Sequence, residues 1–133
     1  MKDIGNRYEI SSLTNDKVKL INSLHHRKYR RQHNLFVAEG FRICREAAEN
    51  GWEIRYLLYD NLNIDTHIIE NLINDVLCLG ADVIGVTSEI LSKISHKENP
   101  QNVLCVICQK WNDLPSMIKD KTFVALEAVR DPG

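Results

Sequence analysis

The sequence predicts an α/β fold, a three-layer α/β/α sandwich around a mixed central sheet, and three observations carry the prediction. Short apolar runs recur at Leu35 to Ala38, Ile54 to Tyr59, Val83 to Val86 and Val103 to Cys108, and segments with helical spacing separate them. The last run is apolar at every position, as a strand covered on both faces must be. The resulting βαβαβαβ order argues for helices on both sides of a mixed or mostly parallel sheet.

Residues 1–12 are polar and mixed and read as a flexible lead-in. Thr14, Asn15 and Asp16 are plausible helix caps ahead of Val18, Leu20, Ile21 and Leu24, whose spacing fits one face of a helix over residues 15–26. Arg27 to His33 reads as a second short helix with Arg27, Arg30 and Arg31 on one side, flanked by Lys28 and Tyr29. After the strand from Leu35, Gly40 permits a sharp turn into a helix from Phe41 to Asn50, which Gly51 is placed to end. The second strand covers Ile54 to Tyr59, a helix follows over Asp65 to Ile73, and the third strand is Val83 to Val86. Ser88 reads as the cap of a short helix holding Ile90, Leu91 and Ile94. The strand from Val103 to Cys108 closes a domain spanning residues 13–109. Residues 110–122 read as a linker, and Phe123 to Val129 as one more strand before Arg130 to Gly133.

A chain of 133 residues holds one ordinary domain and a tail, not two domains. No apolar run approaches the ~20 residues of a membrane helix, and the N-terminus lacks the apolar core of a secretory signal, so the expected home is the cytoplasm with no membrane partner. The net charge of −1 conceals an asymmetry: residues 1–33 carry eight Lys/Arg against three Asp/Glu, and the remainder nine against fifteen. Clustered cations neutralise phosphates locally whatever the overall pI.

The densest cluster is Arg27, Lys28, Arg30 and Arg31, with His25, His26 and His33 nearby; it is either an RNA contact or a solvated face. Tyr29, between cations, either stacks an unpaired base or packs on the preceding helix. Glu39 reads as structural, orienting Arg42 or capping the helix after Gly40, with Arg42 facing RNA. Cys105 and Cys108 lie three apart in a strand and so point to opposite faces, which argues against a shared metal or a redox pair. Cys44 and Cys78 are isolated, and buried reduced thiols are the simpler reading. The five histidines show no HExxH spacing, and the chain has neither a Gly-rich phosphate loop nor a GxSxG elbow.

In combination these segments resemble one family. Asn15 with Lys17, Val18 and Lys19 is similar to an NxKVK opening, Lys28, Arg30 and Phe36 to a KxRxxxxxF spacing, and Glu39, Gly40, Arg42, Glu46 and Ala47 to EGxRxxxEA. Asn99, Pro100 and Gln101 resemble a TPQG motif, with asparagines at 99 and 102 where threonine and glycine are usual. Val124 to Leu126 through Asp131, Pro132 and Gly133 resemble the first strand of the catalytic domain that follows. The family is that of the SpoU/TrmH RNA ribose 2′-O-methyltransferases. The resemblance implies a substrate-binding domain similar in fold to ribosomal and kink-turn-binding proteins, recognising structured RNA such as 23S rRNA. It implies S-adenosylmethionine as cofactor of the intact parent, which would dimerise through its catalytic domain. No catalytic, cofactor-binding or metal residue carries over to this chain, which alone is expected to be inactive. A stand-alone ribosomal-protein-like RNA-binding module and a protein-interaction domain are the alternatives.

Overall fold

The four apolar runs between Leu35 and Cys108 expected to form strands do so in the computed structural model, which describes residues 3–113, 122 and 124–129. The elements in order are β1 (Arg7–Ile10), α1 (Asp16–Ser23), α2 (Arg27–His33), β2 (Leu35–Glu39), α3 (Phe41–Glu49), β3 (Ile54–Asp60), α4 (Thr66–Cys78), β4 (Asp82–Val86), α5 (Ser88–Ser95) and β5 (Val103–Cys108). The sheet runs β1-β4-β3-β5-β2. Its first three strands are mutually parallel, and β5 is antiparallel to both β3 and β2, so the sheet is mixed.

Side-chain alternation along the central strands divides the core in two. On one face Leu58, Ile84, Val86, Leu104 and Val106 meet Val18, Ile21 and Leu24 from the α1 segment and Ile90, Leu91 and Ile94 of α5. On the other, Leu57, Val83, Cys105 and Ile107 meet Cys44 and Ala47 of α3 and Ile69, Leu72, Ile73 and Val76 of α4. These are the three layers the sequence predicts. Cys105 lies in one core and Cys108 packs against the other, as strand geometry requires. Cys44 beside it and its own burial push the Cys105 thiol far above the usual range, and all four cysteines are free.

Four boundaries or roles differ from expectation. Residues 1–12 are not all lead-in: Arg7–Ile10 forms the parallel edge strand β1 on β4. Only Ile10 of this strand is buried, so it carries little apolar signal. Gly5 makes the approach possible, since a Cβ there would stand 1.8 Å from Ala81 O. Helix α1 stops at Ser23 rather than at residue 26, and α4 continues past Ile73 to Cys78. Thr87, not Ser88, caps α5, with its hydroxyl accepting from Ile90 N at 3.4 Å; the extended backbone of Thr87 (φ −80°, ψ 155°) fixes the choice.

Residues 124–129 carry no strand, and Val124, Leu126 and Val129 are exposed. Phe123, Arg130 to Gly133 and the linker from 114 to 121 lie outside the described residues. Among the described residues no helix is long and apolar enough to cross a membrane, and no group of three or more His, Cys, Asp or Glu side chains is placed to hold a metal.

Candidate nucleic-acid interface

Helix α2 has no buried residue, so packing does not explain its sequence. Arg27 and Lys28 stand in its first turn, where the helix dipole disfavours cations, and no acidic residue offsets them. Arg27 and Arg31, four apart, add a like-charge repulsion. The helix thus concentrates charge at some cost to its own stability. Asn34, in the left-handed region (φ 55°), ends it and donates its N–H to Arg30 O.

The cluster divides by role. Arg27, Lys28 and Arg31 are exposed, whereas Arg30 is half-buried and turns back on α1. Its Nη1 donates to Leu24 O at 2.9 Å and His25 O at 2.6 Å. Carbonyls at a helix C-terminus lack intrahelical partners, so Arg30 satisfies them and sets its charge against the negative end of the dipole. The arginine side expected at 27, 30 and 31 is therefore split. Tyr29 is half-buried, with its ring edge-on to His26 at 6.2 Å and Lys28 Nζ 5.7 Å from its centroid. His25 Nε2 bonds Ile94 O, and its ring lies 3.7 Å from that of His96, which bonds Asn22 Oδ1 at 2.9 Å. His33 is exposed.

Arg42 is exposed on α3, in the layer opposite α1, and its Nε donates to Glu46 Oε1 at 3.1 Å. Glu39 does not orient it, nor does Glu39 cap α3, whose cap residue Gly40 (φ 115°) gives no side-chain bond. Instead Glu39 Oε1 accepts from Gln101 N at 2.8 Å and Oε2 pairs with Lys97 at 3.0 Å. The two motifs read separately in the sequence are one structural unit.

Two further polar knots escaped sequence reasoning. Lys17 Nζ donates to Tyr8 OH and lies 3.4 Å from Asp82 Oδ2, while Tyr8 donates to the same oxygen at 3.2 Å. This clamp ties α1 to the β1/β4 edge. At the far ends of β3 and β4, buried Asp60 accepts from Ser88 Oγ at 2.5 Å, Asn63 Nδ2 at 3.0 Å, and the N–H groups of Leu62 and Asn63. Burial disfavours the Asp60 charge, but these donors outweigh it and hold its carboxyl below the usual range.

Residues 15–105 match the family described as the MRM3-like substrate binding domain. The chain is 26% identical over 125 residues to the 23S rRNA (guanosine(2553)-2′-O)-methyltransferase RlmP of Bacillus subtilis (strain 168), covering 94% of this chain and 46% of that protein. It therefore spans about half the length of that curated relative. An rRNA methyltransferase from Sinorhizobium meliloti superposes with a TM-score of 0.72 at 30% identity, over 81% of this chain and 39% of that one. The SpoU methyltransferase AviRb from Streptomyces viridochromogenes, in complex with AdoMet, shares the fold at TM-score 0.59 and 24% identity, over 75% of this chain and 37% of its own.

Proposed function

We propose, from the premise that this chain belongs to the family of MRM3-like substrate binding domains, that it is the RNA-recognition part of a ribosomal RNA ribose 2′-O-methyltransferase. The observation that carries the RNA contact is α2: an unburied helix that exposes Arg27, Lys28 and Arg31 together, the first two against its own dipole. Arg30 sets the angle at which α2 leaves α1, and Tyr29 offers a ring beside the cations. Arg42 adds a contact once its exposed pairing with Glu46 is given up.

In this reading residues 110–122 link the domain to a catalytic one that begins at residue 123. The exposed side chains of Val124, Leu126 and Val129 suit a strand whose partners belong to that other domain. The intact parent would use S-adenosylmethionine, act in the cytoplasm and dimerise through the catalytic domain. We assign the cofactor to no residue of this chain: Asp60, the buried carboxylate among the described residues, is already bonded to Ser88, Asn63 and main-chain N–H groups. The chain alone is expected to bind RNA without methylating it.

The test is fluorescence anisotropy with structured 23S rRNA fragments over a salt series. Three phosphate contacts give a slope of log K against log[salt] of roughly −2 to −3. Reversing Arg27, Lys28 and Arg31 to glutamate should flatten the slope and remove binding. Feeble binding indifferent to RNA structure, unchanged in the variant, would favour a protein-interaction domain.

A further inference from the structure

A hollow of about 310 Å³ opens beside α2, lined by Leu24, His25, Arg30, Phe36 and Val37. That is the lower end of the size of small-ligand sites, roughly 300 Å³. Its floor is apolar, with Leu24 buried and Val37 half-buried, while Phe36 borders it from β2 and turns its ring to the other sheet face against Trp52. Its rim is a guanidinium held in place, because Arg30 Nη1 gives its hydrogens to Leu24 O and His25 O. The planar face and the Nη2 and Nε donors are what such an arginine offers a ligand. His25 is equally fixed, through Ile94 O and the His96 ring.

The surroundings narrow the ligand further. Arg27, Lys28 and Arg31 present charge from the same short helix that carries Arg30. A matching ligand is planar and apolar where it enters the hollow and anionic where it runs along α2. A nucleotide with an unstacked base has both properties; an acidic peptide supplies the charge without the plane. We propose that this hollow seats one unpaired RNA base on Leu24 and Val37 against the Arg30 guanidinium, while α2 holds the flanking phosphates. The proposal rests on the RNA reading above and adds to it a base-dependent contact.

The test compares a labelled single-stranded RNA dodecamer with the same backbone made abasic at its central positions, by anisotropy at fixed salt. The chain should bind the intact oligomer roughly tenfold more tightly, as one seated base contributes. Arg30→Lys keeps the charge and loses the plane; Val37→Phe fills the hollow. Each should bring the ratio of affinities to about one, and Val37→Phe should change abasic binding by no more than about twofold. Circular dichroism and thermal melting identify folded variants, and if one fails to fold the other decides. A ratio near one in the unaltered chain, or a ratio kept in a folded variant, overturns the proposal. Equal binding of both oligomers that charge reversal on α2 abolishes removes the hollow and leaves the RNA reading intact. Absence of binding to either oligomer removes the hollow, and the RNA reading is then decided by the structured 23S rRNA fragments.

Discussion

The main-chain N–H of Gln101 donates to Glu39 Oε1 at 2.8 Å, joining the end of β2 to the loop before β5. With Lys97 on the other oxygen, one carboxylate grips two points of the loop that carries Asn99, Pro100 and Gln101. Glu39→Ala should therefore release that loop before it disturbs the sheet. The expected result is faster hydrogen exchange at the Gln101 amide with a stability loss of about 1 to 2 kcal/mol. Unchanged protection of that amide would show that the loop is held by something else.

Asp60 gives a pH dependence whose sign follows from its environment. Its carboxyl is held low in the folded chain, because hydrogen bonds from Ser88, Asn63 and the Leu62 N–H outweigh burial. Ionised Asp60 therefore favours folding above the unfolded carboxylate value of about 3.9, and this contribution is lost as pH falls through the lower folded value. Ser88→Ala should cost about 2 kcal/mol at neutral pH, the scale of a hydrogen bond to a charged group. In urea denaturation the gap between variant and parent should narrow below about pH 4. A gap independent of pH would mean that Ser88 acts only through packing.

Lys17→Met keeps the aliphatic stem and removes the charge that meets Tyr8 and Asp82. Both side chains of the pair are partly exposed, so the loss should be about 1 kcal/mol. Denaturation at low and high salt checks the origin: an electrostatic clamp loses part of its advantage as salt screens it. An effect insensitive to salt would assign the role of Lys17 to packing on Tyr8 and Tyr56.

The layers and the strands from β2 to β5 were legible because apolar side chains, at alternating or continuous positions, report a core directly. Strand β1 was not, since an edge strand with one buried residue leaves Arg7, Tyr8 and Glu9 looking like any polar segment. Arg30 could be placed on the helix but not given its role, because which arginine turns back depends on where the carbonyls of Leu24 and His25 end up. Thr87 and Ser88 are adjacent and equally fit to cap; Ser88 instead answers to Asp60, a partner fixed only by tertiary structure. Glu39 drew attention through its neighbour Arg42, yet its partners come from the loop before β5.

The most direct test of the central claim is the salt dependence of binding to structured 23S rRNA fragments, for the parent chain and for the variant with Arg27, Lys28 and Arg31 all reversed to glutamate. The account predicts structure-selective binding with a slope of roughly −2 to −3 in the parent and none in the variant. Equal affinities and equal slopes in the two proteins would contradict it.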